Sequence, residues 1–107
     1  MNIYTEKTLQ KISRRLHDEL GDDIEGFFAF GSRIRGDHDD DSDFDLLVVV
    51  RGRTPEKIDR IISIIVDTEY ENNMSFFPVI KDSNSYNLEK TFSTPFYQNI
   101  INEGIRL

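Results

Sequence analysis

No cysteine occurs anywhere in the 107 residues, which excludes disulfides and thiolate metal sites and suits a reducing compartment. No apolar run exceeds about eight residues, too few to span a bilayer as a helix, and the amino terminus lacks the basic-then-apolar pattern of an export signal. Repeats, low-complexity tracts and linkers are missing as well. Residues 1–107 therefore read as one soluble cytoplasmic domain with a core and little surplus chain. Basic residues are in deficit: 13 Lys and Arg stand against 20 Asp and Glu, for a formal net charge of −7. Such a field opposes a long nucleic-acid backbone, which needs a basic track. Lys7, Lys11, Arg14 and Arg15 offer the only candidate basic face, on the first helix.

What is present centres on residues 27–50, FFAFGSRIRGDHDDDSDFDLLVVV. An apolar run ends at Gly31-Ser32, ten residues follow, and Asp43 and Asp45 then open a second apolar run through Phe44. In a strand, residues two apart share a face about 6.5 to 7 Å apart, so Asp43 and Asp45 point one way and Phe44 points into a core. Two carboxylates held so close repel unless a cation or proton lies between them. Hard oxygen donors favour Mg²⁺ or Mn²⁺, and paired divalent ions are the usual arrangement for phosphoryl and nucleotidyl transfer. Gly31 leaves backbone N–H groups open to close approach, and with Ser32 at the start of a short helix it forms a turn suited to phosphate oxygens.

Simpler readings compete. Alone, Gly-Ser is a turn and Asp-x-Asp is solvated surface. Their combination ahead of five apolar residues, Leu46 to Val50, is harder to dismiss, because a buried strand is a costly place to begin with carboxylates. A P-loop would need Lys and Ser or Thr after Gly36, where Asp37 and His38 stand. A calcium loop starting at Asp37 would need Gly at its sixth position and Glu at its twelfth, where Ser42 and Val48 stand. Asp37, His38, Asp39, Asp40 and Asp41 read as a solvated connection. Arg35 has two equal readings, a forked contact to a triphosphate or a salt bridge to these aspartates.

Around this centre the chain reads as alternating elements. Leu9, Ile12, Leu16 and Leu20 predict an amphipathic helix over 5–20, capped by Thr5 and stopped by Gly21, with Lys11, Arg14, Arg15 and His17 on its solvated side. A buried strand over 24–30, a one-turn helix over 33–36 and a strand over 43–50 follow. Thr54-Pro55-Glu56 starts a second long helix, with Ile58, Ile61, Ile62 and Ile65 toward the sheet, ending near 69–70. A strand over 74–81 carries Pro78, which predicts a bulge or an edge. Residues 82–93 are weakly periodic, with a short helical turn at 86–89. Thr94-Pro95 starts a last helix ending at Gly104, before a tail that docks or frays.

Gly-Ser, ten residues, Asp, any residue, Asp resembles the motif of the DNA polymerase β-like nucleotidyltransferase superfamily, and most closely its minimal single-domain members. Arg33, Arg35-Gly36 and Ser42 are also similar to the minimal form. The resemblance implies an α+β nucleotidyltransferase fold, a mixed sheet of three to four strands against three to four helices. It implies Asp43 and Asp45 as catalytic metal ligands, Gly31, Ser32 and Arg35 at the nucleotide, Mg²⁺ or Mn²⁺ as cofactor, and ATP or another nucleoside triphosphate as substrate. It further implies transfer of AMP to a hydroxyl of a small helical HEPN-type partner, as in the antitoxin half of a two-component toxin system. Active members add a third carboxylate on a later strand, expected here within 74–80, where no Asp or Glu stands. Two alternatives follow: a weak or inactive module that binds nucleotide or partner, and an aminoglycoside-type enzyme acting on a small molecule.

Overall fold

The computed structural model describes residues 2–36 and 43–107; the acidic connection from Asp37 to Ser42 lies outside them. Helix α1 (Ile3–Leu20) is followed by a single 3₁₀ turn, strand β1 (Ile24–Phe30), the one-turn helix α2 (Ser32–Arg35) and strand β2 (Phe44–Val50). Helix α3 (Pro55–Asn72), strand β3 (Phe76–Asp82), helices α4 (Ser83–Phe92) and α5 (Pro95–Glu103), and the short strand β4 (Ile105–Arg106) complete the chain. Among the described residues no helix is long and apolar enough to cross a membrane.

The four strands form one mixed sheet in the order β3-β2-β1-β4. β1 is antiparallel to both β2 and β4, whereas β2 and β3 run parallel. Alternation along the strands then sorts side chains into two cores. Phe27, Ala29, Phe44, Leu46 and Val48 pack with Leu9, Ile12 and Leu16 of α1 and Ile61 and Ile65 of α3. On the other face, Phe28, Leu47 and Val49 pack with Ile100 of α5, joined by half-buried Tyr86 of α4 and Phe96 of α5. The outcome is the expected α+β class: among the described residues, four sizeable helices and two single turns accompany four strands.

Several local expectations shift. Thr5 is not the cap of α1 but a buried residue inside it; Asn2 is the cap, its side chain accepting from the Thr5 N–H at 2.8 Å. Removing that acceptor leaves an orphan helix donor, so Asn2→Ala is expected to lower stability by about 1 kcal/mol, read from a urea denaturation midpoint. Lys11 and Arg15 are not simply solvated: both pair with Glu71 of α3, at 2.8 and 3.0 Å, and tie the two long helices together. Arg14 and His17 are exposed as expected. In α3 the buried set is Ile61, Ile64, Ile65 and Thr68, with Ile58 and Ile62 only half-buried, and the helix runs on to Asn72.

Residues 83–92 form a ten-residue helix rather than one turn. The Asp82 side chain caps it by accepting from the Asn84 N–H, and Tyr86 anchors it on Phe28 with ring centroids 6.3 Å apart. One aromatic anchor among polar neighbours leaves little periodicity to read. The tail docks, since Ile105 and Arg106 pair with β1 and the Leu107 N–H donates to the Phe27 carbonyl at 2.8 Å.

β3 lies at the sheet edge, and its register with β2 runs unbroken from Phe44↔Phe76 to Val50↔Asp82, so Pro78 marks an edge without a bulge. The Phe44 N–H donates to the Ser75 carbonyl at 3.0 Å, which fixes the parity of the ladder. Odd-numbered β3 residues bond to β2, and even-numbered ones turn their backbone outward. Pro78 therefore stands where it costs no ladder bond, and the outward Phe76 N–H is taken by Glu69 Oε2 at 2.8 Å.

Candidate active site

Three chain segments converge at one end of the sheet. β1 leaves it at Phe30, and β2 enters it antiparallel, with Phe30 opposite Asp45. β3 enters beside β2 with Phe77 opposite Asp45. Phe44 is buried in the α1/α3 core, so the pleat turns Asp45 to the other face, where Leu47 and Val49 are covered but the end of the strand is not.

Gly31 makes the sharp exit from β1. It sits at φ 86, ψ −168, a region open essentially to glycine alone. A Cβ there would overlap Asp45 Oδ2 and come within 2.9 Å of Asp45 Cγ. The Asp45 carboxylate is thus laid directly against the Gly31 backbone, and the Gly31 turn and the acidic strand form one structure. The Gly31 carbonyl accepts from the Ile34 and Arg35 N–H groups at 3.1 and 3.0 Å, which starts α2. The first N–H groups of a helix have no acceptor within it, and that of Ser32 is one of these in α2.

Burial is the main reason the Asp45 carboxyl sits above its ordinary pKa; the Asp43 charge adds to this and the Arg35 charge opposes it. Arg35 also bridges to Glu103 of α5 at 3.3 Å, and the aspartates proposed as its alternative partners lie outside the described residues. The Arg33 guanidinium lies over the Phe44 ring, 4.4 Å from its centroid. A cleft of about 540 Å³ opens beside Asp43, lined among others by Tyr4, Arg33, Glu69, Asn73 and Ser75.

Among the described residues no cluster of three or more His, Cys, Asp or Glu side chains could hold a metal. The two aspartates still fit Mg²⁺, because this ion is commonly bound by one or two carboxylates with the remaining positions filled by water and substrate phosphates. At the positions where a third carboxylate would face them stand Ser75, just before β3, and Phe77 within it. Ser75 Oγ donates to Asp43 Oδ1 at 2.6 Å. Phe77 is 57% exposed on the carboxylates' own face. The period of FFPVI alone cannot tell which of two adjacent phenylalanines is inward; the register against Asp-x-Asp does.

A family model described as "Nucleotidyltransferase domain" matches residues 9–101. Over 100 residues the chain is 26% identical to a protein of Methanocaldococcus jannaschii named "Putative protein adenylyltransferase MJ0141", covering 92% of this chain and 94% of that one. A crystal structure of a "putative nucleotidyltransferase" from Sulfolobus solfataricus covers 99% of this chain and 87% of its own, at 19% identity and a TM-score of 0.46. That last likeness is too distant to carry any part of the argument.

Proposed function

The chain belongs to the nucleotidyltransferase domain family, and from that premise we propose that it is a minimal, single-domain, Mg²⁺-dependent enzyme that moves AMP from ATP onto a hydroxyl of a partner protein. The observation that carries the proposal is the packing of Asp45 against Gly31, with Asp43 two residues away at the same strand end. Two carboxylates and a glycine turn at one end of the sheet support a site for a metal-bound triphosphate. The choice of AMP and of a protein acceptor is supported by the relative named for protein adenylyl transfer, and by the net charge of −7, which disfavours a long nucleic acid.

In this reading the Gly31-Ser32 turn and the Ser32 hydroxyl bind the β and γ phosphates, and Arg35 adds a cationic contact from the last residue of α2. Asp43 and Asp45 hold the divalent ion. The chemistry that ion supplies is neutralisation of triphosphate charge and a lowered pKa for the acceptor hydroxyl. The acceptor oxygen forms a bond to the α-phosphorus as the bond from that phosphorus to the pyrophosphate oxygen breaks; the hydroxyl proton leaves to solvent and pyrophosphate departs with the electron pair. A small helical HEPN-type protein is the partner we propose, which would make this chain the antitoxin of such a pair.

A second reading, a module that binds nucleotide without transferring it, is favoured by Ser75 and Phe77 standing where a third carboxylate would help hold the metal near the nucleophile. Incubation of the protein and a co-purified helical partner with ATP labelled at the α-phosphorus, against ATP labelled at the γ-phosphorus, separates the two. Adenylyl transfer is expected to leave α label and no γ label on the partner, lost in Asp43→Asn/Asp45→Asn. Calorimetric binding of Mg²⁺-ATP without label transfer would instead establish the binding module.

A further inference from the structure

Asp43 and Asp45 share a strand end but not an environment. Asp45 lies against Gly31, whereas Asp43 and Ser75 line the cleft that runs toward Tyr4 and Asn73. The 2.6 Å bond from Ser75 Oγ to Asp43 Oδ1 falls in the short range of hydroxyl–carboxylate contacts. Ser75 is itself held on both sides. Its carbonyl accepts from the Phe44 N–H at 3.0 Å, and the next N–H, that of Phe76, donates to Glu69 Oε2 at 2.8 Å. Before it, Asn73 closes α3 in the left-handed region at φ 51, so the chain reaches Ser75 through a defined turn.

We propose that Ser75 is a positioning residue for Asp43. Its hydroxyl commits Oδ1 and leaves Oδ2 to receive a cation, and the two carboxylates thereby divide their work. Asp45 serves the phosphates of the nucleotide at Gly31, and Asp43 serves the side of the site that opens into the cleft, where the acceptor hydroxyl arrives. This inference rests on the nucleotide-site reading above.

The test is Mn²⁺ affinity, measured by electron paramagnetic resonance on the full chain, together with calorimetric ATP affinity, for wild type, Ser75→Ala, Ser75→Thr, Asp43→Asn and the double variant Asp43→Asn/Ser75→Ala. Outer partners of metal ligands are worth about 10- to 100-fold in affinity. Ser75→Ala is therefore expected to weaken Mn²⁺ about 10-fold while retaining ATP affinity and the thermal midpoint, and Ser75→Thr, which keeps the hydroxyl, is expected to restore it. In the Asp43→Asn background the Ser75→Ala change should add nothing, as required of a residue acting through Asp43. Wild-type Mn²⁺ affinity in Ser75→Ala would overturn the inference, as would equal losses in the Ala and Thr variants. A wild-type protein that binds neither Mn²⁺ nor ATP would overturn the nucleotide-site reading itself, a result distinct from the other two.

Discussion

Gly31→Ala is expected to weaken Mg²⁺-ATP binding by about 100-fold, the scale on which a displacement of about 1 Å in an organised site is felt. Two effects act together. The backbone at φ 86, ψ −168 costs a non-glycine residue about 1–3 kcal/mol, and the new methyl group occupies the volume of the Asp45 carboxylate. Either the turn or the aspartate must move, and both belong to the proposed site. Gly36→Ala is the matched control. Gly36 also has positive φ, 88, but a Cβ there meets nothing within 4 Å among the described residues, so this variant should lose stability and keep its nucleotide. Calorimetric titration beside thermal melting separates strain from loss of the site; equal affinity in the two alanine variants would show that the Gly31–Asp45 contact is irrelevant to binding.

Asp45→Asn is expected to abolish Mg²⁺-ATP binding, by more than the roughly 10- to 100-fold that partners of metal ligands alone contribute, and yet to melt no lower than wild type in the absence of metal. The sign follows from the direction of its shift. Burial and Asp43 raise the folded-state pKa of Asp45, so the charged form is disfavoured in the fold relative to the unfolded chain. Its unfavourable contribution is present above the folded pKa and is relieved as pH falls through it. Asparagine imitates the protonated state, so the variant's advantage should be largest near neutral pH and shrink in acid. In the proposed site nucleotide and metal binding need the carboxylate, so in wild type they should fade as pH drops through a midpoint above the ordinary aspartate value of about 3.9. Added Mg²⁺-ATP should reverse the order of the melting temperatures, because only wild type is stabilised by mass action. Scanning calorimetry from about pH 4 to pH 8, with and without ligand, checks all three statements.

Much of this arrangement was legible in the chain because it rests on local rules. The 24–30 strand, the Thr54-Pro55 and Thr94-Pro95 helix starts, and the facing of Asp43 and Asp45 away from Phe44 follow from alternation, capping and turn chemistry that need few distant contacts. What escaped depended on partners far along the sequence. Lys11 and Arg15 look like solvent-facing charges until Glu71 is brought beside them by packing of α1 on α3. The helix over 83–92 is stabilised by a cap from Asp82 and by Tyr86 against Phe28, neither of which has a periodic signature. The lack of an acid within 74–80 is plain in the sequence, but the bond from Ser75 to Asp43 depends on the parallel register of β2 and β3. Register is a non-local quantity, and hydrophobic pattern constrains it only when one face is plainly polar.

The outer rim of β3 has a consequence for how molecules of this protein meet one another. With the Phe76 N–H taken by Glu69 and Pro78 offering none, the strand presents an interrupted row of donors to any incoming chain. Open edges of regular strands are templates for runaway aggregation into fibres, and proline and side-chain capping are among the ways to blunt them. At the other border, β1 is overlaid by Ile105 and Arg106. The β3 border is therefore a poor template for an added strand, and the opposite border offers only the two residues of β4.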